Sequence, residues 1–202
     1  MKITSIKQQV KRSNRYSVFV DEQYSFSLSE SALLESGLAS GRELTFAEVD
    51  DYKRLSADDK VYNLALRYVA MRPRSAWELS TYLQRKDAPE SLTESIIQKL
   101  TDLDLLNDGK FAASFVHNRQ LLRPTSRRKL ILELKQKRIA EEHIQSALEQ
   151  NELSEADSLE QVIIKKRRQS KYQDDNKLMQ YLARQGFGYG DIKSALAKNE
   201  DD

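Results

Sequence analysis

The sequence predicts a mostly α-helical protein, in which three tandem three-helix repeats form an elongated curved array behind a small β-rich N-terminal module. The repeats are predicted by one pattern: two leucines four residues apart, then an isoleucine and a leucine four apart. The copies are Leu79/Leu83 with Ile96/Leu100, Leu130/Leu134 with Ile144/Leu148, and Leu178/Leu182 with Ile192/Leu196. Leu134 and Leu182 are 48 residues apart, and so are Ile144 and Ile192. Such a fixed period is typical of repeat proteins, in which each unit buries an apolar face on its neighbour.

Helix-start signals divide the repeats into nine predicted helices. A serine precedes an acid by three residues, as in a capping box, at Ser56/Asp59, Ser75/Glu78, Ser91/Glu94 and Ser154/Asp157. All three prolines fall between the proposed helices, where a missing N–H does least harm. The predicted helices span 57–71, 75–86, 92–102, 108–122, 126–137, 140–150, 155–170, 175–185 and 189–198.

The repeated leucines and isoleucines are expected to form the cores of the repeats. Residues four apart lie on one face of a helix, so each repeat carries two apolar stripes that meet across a turn. The helix before them is expected to cover the stripes. Its apolar residues are Val61, Leu64, Ala65, Tyr68 and Val69 in the first repeat, and Phe111, Ala112, Phe115 and Val116 in the second.

The first 53 residues have a different character, with short runs rich in β-branched and aromatic residues. Strands are predicted at Ile3–Gln9, Tyr16–Val20 and Tyr24–Leu28, with turns at Ser13–Asn14 and Asp21–Gln23. Ser29 is expected to cap a short helix that Gly37 ends, and Thr45 with Glu48 forms a capping box for another. The predicted domains are therefore 1–53, 54–106, 107–152 and 153–202, the last with an acidic tail.

Composition limits the classes of protein that this chain can be. Charged residues make up 32% of the chain, and there is no cysteine, which agrees with a reducing compartment. The longest stretch without Asp, Glu, Lys or Arg is the eight residues from Phe111 to Asn118. That stretch is too short for a transmembrane helix or a secretory signal, so we expect a cytoplasmic protein with no membrane partner.

Charge is strongly segregated along the chain. Residues 110–138 contain nine basic residues and one acid, Glu133, whereas residues 139–160 contain seven acids and no lysine or arginine. A second basic cluster follows at Lys165–Arg168, with Lys171. This segregation favours an anionic or charge-patterned partner.

No catalytic motif is present, so the sequence predicts a protein that is not an enzyme, with no catalytic residues, metal or cofactor. There is no Walker-type phosphate loop and no Gly-x-Ser-x-Gly. The glycines at Gly186, Gly188 and Gly190 follow a predicted helix rather than a strand, which favours a helix cap and turn. His117 and His143 are isolated, and no arrangement of the paired aspartates suggests a metal-dependent nuclease.

The basic residues are the candidate partner-binding or DNA-binding face. Arg127 and Arg128 carry the argument, because they lie near the start of a predicted helix, where the dipole disfavours cations. Lys165 to Arg168 lie near a helix end, where a solvated face explains them equally well. The candidate residues are Arg119, Arg123, Arg127, Arg128, Lys129, Lys135, Lys137, Arg138, Lys165, Lys166, Arg167 and Arg168.

Several spaced blocks between Ser56 and Lys198 resemble the RecX family of regulatory proteins. Arg74–Leu79 with Leu83 and Lys86 is similar to its Arg-Ser-x-x-Glu-Leu element, and Leu103–Asp108 with Phe111, Ala112, Phe115, Val116 and Arg119 to its central block. Glu133–Ile139 is similar to its Glu-Leu-x-x-Lys-Gly-Ile/Val turn, with Arg138 in place of the glycine, so a different backbone conformation is expected there. Arg85–Ala88 also departs from the glycine pattern, whereas Arg184–Phe187 keeps it.

The resemblance implies a modulator of the RecA recombinase in DNA repair, homologous recombination and the SOS response. Family members lie along the groove of the RecA–DNA filament and restrain strand exchange, ATP hydrolysis and stimulated repressor cleavage, without catalytic residues of their own. A monomer whose repeats contact successive RecA protomers is therefore expected. The alternative is a stand-alone DNA-binding protein whose three-helix units act like helix-turn-helix domains. Direct contact with DNA and the roles of the β-rich segment and of the acidic stretch remain open from the sequence.

Overall fold

A computed structural model describes residues 1–151 and 154–198, and the proposed acidic tail at the C-terminus lies outside the described residues. The described part is mostly helical with one small antiparallel sheet, which confirms the predicted fold class. The strands are β1 (Ile3–Gln9), β2 (Arg12–Val20) and β3 (Gln23–Ser29). The helices are α1 (Glu30–Ser36), α2 (Phe46–Ala70), α3 (Ala76–Gln84), α4 (Glu90–Asp102), α5 (Asp108–Leu122), α6 (Arg127–Gln136), α7 (Glu141–Glu149), α8 (Glu155–Arg167), α9 (Asp175–Arg184) and α10 (Tyr189–Lys198). A 3₁₀ turn, Ser170–Tyr172, precedes α9.

The chain divides into two compact units. The first comprises residues Met1–Arg72 and Ser80–Lys99, and the second comprises Pro73–Leu79 and the chain from Leu100 onward. The sheet, α1 and α2 belong to the first unit, and α5 to α10 belong to the second.

The sheet has the strand order β1-β2-β3, with both pairs antiparallel. The predicted loop between β2 and β3 is confirmed as a turn at Asp21 and Glu22, whose φ angles of 48° and 66° suit a tight hairpin. The predicted turn at Ser13–Asn14 is wrong. The chain reverses at residues 10–11, because Gln9 pairs with Arg12, and the residues between Arg12 and Tyr16 form an irregularity within β2. Polar residues such as Ser13 and Asn14 occur in a bulge as readily as in a turn, so the sequence does not distinguish the two.

Two predicted helix caps of the first unit, those of α1 and α2, are confirmed. The Ser29 hydroxyl accepts a hydrogen bond from the Ala32 backbone N–H, and Gly37 ends α1 in the left-handed conformation. Thr45 and Glu48 form a reciprocal capping box at the start of α2. The Thr45 hydrogen bonds lower the pKa of the Glu48 carboxyl.

The predicted helix start at Ser56 and Asp59 is wrong, because α2 continues unbroken from Phe46 through both residues. Both side chains are buried and bind the sheet instead of capping a helix. The Arg15 Nη1 atom lies 2.9 Å from Asp59 Oδ2, which also accepts a 2.9 Å hydrogen bond from the Ser29 backbone N–H. Ser56 Oγ donates to the Ser27 carbonyl over 2.6 Å. The proposed domain boundary at 53/54 therefore lies inside α2.

The core of the first unit's sheet is apolar on the side that faces α2. Phe26 stacks on Tyr52 of α2, with ring centroids 5.6 Å apart. The buried members of this core are Ile3, Val18, Val20, Phe26, Leu28, Leu38, Leu44 and Val49.

The twelve leucines and isoleucines of the repeated pattern are all buried, as predicted. Those of the second and third repeats lie in two separate cores, which also include Phe111, Ala112 and Val116 for the second repeat and Leu159, Val162 and Ile163 for the third. The Ser75/Glu78 and Ser154/Asp157 capping boxes are confirmed. The box at Ser91/Glu94 is wrong, because α4 begins at Glu90 and Ser91 lies within its first turn.

The turn after the first leucine pair has one backbone conformation in all three repeats. Asp87, Arg138 and Gly186 have φ angles of 57°, 59° and 90°. The expectation that Arg138 changes the conformation of its turn is therefore wrong. The next residue's backbone N–H donates to the carbonyl of the second leucine each time: Ala88 to Leu83, Ile139 to Leu134 and Phe187 to Leu182, over 3.2, 3.2 and 3.3 Å. These bonds hold the left-handed turn whether or not it contains glycine.

A second set of contacts recurs where successive repeats meet in the second unit. Ser75, which precedes α3, donates a hydrogen bond to the Lys137 carbonyl over 3.4 Å. Ser126, which caps α6, donates to the Gln185 carbonyl over 2.8 Å. In both cases the acceptor is the residue immediately before the left-handed position. We call the two places where Ser75 and Ser126 make these contacts the repeat junctions.

Candidate partner-binding surface

The predicted basic residues lie on three segments of the second unit. Arg119 and Arg123 are at the C-terminal end of α5, and Lys165 to Arg168 are at the end of α8. Arg127 and Arg128 are the first two residues of α6 and are exposed, as predicted. The remaining residues, Lys129, Lys135, Lys137 and Arg138, follow along α6 and its C-terminal turn.

The structure brings four of these cations together around one cleft with a volume of about 250 Å³. We call it the basic cleft. It is lined by Arg119, Arg123, Pro124, Val162, Lys165, Lys166, Tyr181 and Gln185. The lining residues come from α5, α8, α9 and adjoining turns, so the cleft lies between the second and third repeats.

Arg119 is the anchored cation of the basic cleft. Its Nε and Nη2 atoms lie 3.0 and 2.9 Å from the two carboxylate oxygens of Glu133, in a bidentate pair. The hydrogen bond to Glu133 raises the pKa of the Arg119 guanidinium. Arg119 Nη1 also donates to the Arg123 carbonyl over 2.9 Å. Arg119 therefore fixes the end of α5, and its charge is balanced by the single acid of this basic segment.

Lys166 lies over aromatic rings at the opposite side of the cleft. Its Nζ atom is 4.5 Å from the centroid of the Tyr181 ring and 5.2 Å from that of Tyr172. This cation–π arrangement leaves the ammonium with no carboxylate partner among the described residues. Tyr181 was absent from the sequence-derived candidates. Tyr181 follows the buried Leu178 by three residues, which places it beside the apolar stripe of α9. This spacing is the one sequence feature that could have indicated a role for Tyr181.

Arg123 and Lys165 are the two unpaired cations of the cleft. Both are exposed, and neither side chain forms an ion pair or hydrogen bond within residues 1–151 and 154–198. Arg128, Arg138 and Arg168 share these properties outside the cleft. Unpaired cations on an ordered surface are available to phosphate or carboxylate groups of a partner.

The other predicted cations have partners within the protein. Lys137 Nζ lies 2.6 Å from Glu78, and Lys129 Nζ lies 2.7 Å from Oε1 of Gln185. Lys135 pairs with Glu141 over 2.9 Å, and this hydrogen bond lowers the pKa of Glu141. Arg167 pairs with Asp175, and Arg127 Nη2 lies 3.2 Å from Oε1 of Gln145. The structure thus separates the predicted face into cations that are paired within the protein and cations that are free.

Several acids of the acidic stretch, residues 139–160, also have partners within the protein. Glu141 binds Lys135, and the Glu155 carboxylate accepts a 3.3 Å hydrogen bond from the backbone N–H of Arg127. Ser154 caps α8 with Asp157, whose pKa is lowered by the Ser154 hydrogen bonds. The described acids of this stretch therefore include several that stabilise helix ends.

Neither histidine belongs to a ligand cluster. His117 is exposed, and the Nε2 atom of His143 lies 3.9 Å from Glu142. Across the described residues, no group of three or more His, Asp or Glu side chains is placed to hold a metal ion. No described helix is both long enough and apolar enough to span a membrane.

Four family models match consecutive parts of the chain. The model described as the regulatory protein RecX N-terminal domain matches residues 1–45. Those described as the first, second and third RecX three-helix domains match residues 62–100, 107–148 and 154–196.

Curated relatives carry the same description, "Regulatory protein RecX". That of Bacillus pumilus is 31% identical over 204 residues, which cover 98% of this chain and 78% of the relative. That of Listeria welshimeri is 32% identical over 209 residues, covering 100% and 78%. That of Lactobacillus johnsonii is 36% identical over 146 residues, but the match spans only 54% of that protein.

Solved structures show the same fold. A crystal structure of a regulatory protein RecX superposes with a TM-score of 0.75 at 27% identity, covering 97% of this chain and 98% of the other. A crystal structure of RecX from Lactobacillus salivarius gives a TM-score of 0.60 at 26% identity, covering 72% of this chain and 97% of the other.

Proposed function

The chain belongs to the RecX family of regulatory proteins, and we propose that it binds the groove of the RecA–DNA filament and restrains the filament's activities. The activities concerned are strand exchange, ATP hydrolysis and co-protease function in homologous recombination, DNA repair and the SOS response. The resemblance of its motifs to the family is the basis for naming RecA as the partner.

The basic cleft supports this proposal, because it offers unpaired positive charge between the second and third repeats. Arg123 and Lys165 are free, while Arg119 and Lys166 are fixed by Glu133 and by the tyrosine rings. The Lys166 charge, held by the rings and not neutralised by a carboxylate among the described residues, attracts an anionic surface without much loss of side-chain entropy on binding. We assign the cleft to acidic groove walls of RecA or to phosphates of the bound DNA.

The regular repeat junctions also suit a repetitive partner. Arg128 and Arg138 lie free on α6 and its turn, outside the cleft. We propose that these cations, together with Arg168, extend the contact to a neighbouring RecA protomer. In this proposal, the paired cations act indirectly, by contacting the elements that present the free cations. They are Arg127, Lys129, Lys135, Lys137 and Arg167.

Regulation by binding alone requires no chemistry of the protein's own. We propose that the protein acts as a monomer, without catalytic activity or a cofactor. The experiment that tests the function is titration of the protein into RecA assembled on single-stranded DNA, with ATP hydrolysis and co-sedimentation measured in parallel. Co-sedimentation with falling ATPase activity is expected. Unchanged hydrolysis at every ratio, without co-sedimentation, would refute the proposal.

A stand-alone DNA-binding protein is the alternative, because phosphates would also fill the basic cleft. This alternative predicts tight binding to bare duplex at physiological salt and a steep fall in affinity as salt increases. The RecA proposal predicts binding that depends on the assembled filament. Affinity for duplex measured with and without RecA separates the two.

A further inference from the structure

The N-terminal sheet has an exposed face whose residues are suited to nucleic acid. Pairing of opposite residues places Lys7 with Ser17, and Phe19 with Tyr24, on the same side of the sheet. Gln9 lies on this side too, since its Nε2 atom is 3.1 Å from Ser17 Oγ. We call these residues the outer face; Ile3, Val18, Phe26 and Leu28 point into the core instead.

Two aromatic rings dominate the outer face. Tyr24 is 56% exposed, and its ring meets Phe19 edge to face, with centroids 6.1 Å apart and planes at 78°. Lys7 Nζ lies 5.3 Å from the Phe19 centroid. The Phe19 ring is therefore held by its neighbours, while the Tyr24 ring has a free side. A free aromatic ring beside a cation can stack on an unpaired base.

The charge of this segment is complementary to a polyanion. Residues 1–20 contain five basic residues and no acid. Arg15 is buried against Asp59, but Lys2, Lys7, Lys11 and Arg12 are exposed. Arg12 pairs with Gln9 and so borders the outer face. The nearest acids in sequence, Asp21 and Glu22, lie in the turn between β2 and β3, and Asp21 accepts a hydrogen bond from the Lys2 backbone N–H.

We propose that the outer face binds single-stranded nucleic acid, with one base stacked on Tyr24 and the sugar–phosphate backbone running past Lys7 toward Arg12. A single strand fits better than a duplex, because stacking on a flat sheet requires a base that is free of its pair. This binding needs no RecA, so it stands or falls separately from the filament proposal.

The test measures anisotropy of a fluorescent oligothymidylate of about 20 nucleotides, and of a matched duplex, with the full chain and no RecA. Tyr24→Ala is expected to weaken single-strand binding at least about 5-fold, with little effect on duplex. Tyr24→Phe keeps the ring and should keep the affinity. Tyr189→Ala, which removes an exposed tyrosine of α10, is the matched control and should change nothing.

The cations are tested by the salt dependence of the same binding. Lys7→Gln with Arg12→Gln should make the slope of log affinity against log salt shallower by about 1.4, since each phosphate contact on a single strand contributes about 0.7. The control pair Lys177→Gln with Lys193→Gln should leave the slope unchanged. Three results would overturn the proposal: no binding of the oligothymidylate, unchanged affinity in Tyr24→Ala, or an equal loss on single strand and duplex.

Discussion

Lys129 Nζ lies 2.7 Å from Oε1 of Gln185, and the equivalent pair one repeat earlier is Glu78 with Lys137, whose Nζ atom lies 2.6 Å from the Glu78 carboxylate. In each pair, one residue is the third of its helix, counted from the capping serine, and the other precedes the left-handed position of the next repeat. The same two serines, Ser75 and Ser126, bind the carbonyls of Lys137 and Gln185. A charged pair in one junction and an amide–ammonium pair in the other therefore serve the same packing.

The Ser126 hydroxyl both caps α6 and joins two repeats, so its removal should cost more than loss of a cap alone. It accepts from the Lys129 backbone N–H over 3.1 Å and donates to the Gln185 carbonyl. Ser126→Ala should lower the free energy of unfolding by about 1–3 kcal/mol. Ser154→Ala, which removes an exposed cap with no junction contact, is the control and should cost about 1 kcal/mol or less. Equal losses in urea unfolding would show that the junction bond contributes nothing.

Arg138 is a non-glycine residue at φ 59°, where a side chain is strained. Arg138→Gly removes a penalty of about 1–2 kcal/mol but adds about 0.4–1 kcal/mol of unfolded-state entropy. We expect a net gain in stability of about 0.5–1 kcal/mol. The opposite change, Gly186→Ala, should destabilise, because a Cβ there would lie 2.5 Å from Ser126 Oγ. Thermal unfolding of both variants checks the pair; a loss of stability in Arg138→Gly would contradict the left-handed assignment.

The Arg15–Asp59 pair is buried, and its carboxylate also serves Ser29 and Asn63. Removing one member leaves a buried charge without a partner. Asp59→Ala should therefore lower the free energy of unfolding by about 3–5 kcal/mol. Arg15→Met with Asp59→Leu should lose much less than the single change, because no charge remains unpaired. Asp50→Ala, at an exposed position of the same helix, is the control. A loss below about 1 kcal/mol in Asp59→Ala would contradict the buried pair.

Burial raises the pKa of Asp108, even though its carboxylate accepts a 2.8 Å hydrogen bond from the Ala76 backbone N–H. The folded state therefore holds this proton more tightly than the unfolded chain, in which the pKa of an aspartate is about 3.9. As pH rises from that value through the raised pKa, the folded state loses stability at this site. The side chain of Asp108→Asn does not titrate. When urea unfolding is measured at pH 3.5 and at pH 7, the stability of this variant relative to the parent should therefore be greater at pH 7. A constant difference, or one of opposite sign, would contradict the raised pKa.

The features that the sequence predicts well are those set by neighbouring residues. The leucine stripes follow from helical period, and the caps at Ser29, Thr45 and Ser154 from local hydrogen bonds. Ser56 and Asp59 have the same spacing as a cap, but their partners are in strands about 30 to 44 residues away, as the pairs with Ser27 and Arg15 show. Nothing local distinguishes a serine that caps a helix from one that binds a sheet.

The candidate surface was predictable as a set of residues but not as a geometry. Charge segregation located the basic segments, and the helix dipole pointed to Arg127 and Arg128, which are both exposed at the start of α6. Which cations are neutralised depends on acids that fold back from elsewhere, such as Glu78, which is 59 residues from Lys137. The meeting of Arg123 with Lys165 also depends on the packing of α5 against later helices, which the sequence does not specify.

The central claim is that free cations of the basic cleft engage the RecA filament, and the inhibition of RecA's ATPase by matched variants tests it most directly. Arg123→Glu with Lys165→Glu reverses the two unpaired charges, whereas Lys177→Glu with Lys193→Glu makes the same change in net charge at exposed positions of α9 and α10. Thermal unfolding checks the fold of all four proteins, which are the cleft variant, the control pair, the parent and Arg128→Glu. We predict that the cleft variant needs at least about 10-fold more protein for half-inhibition, since two unpaired charges of the proposed contact are reversed, while the control pair matches the parent. Equal inhibition by the cleft variant and the control would contradict the claim.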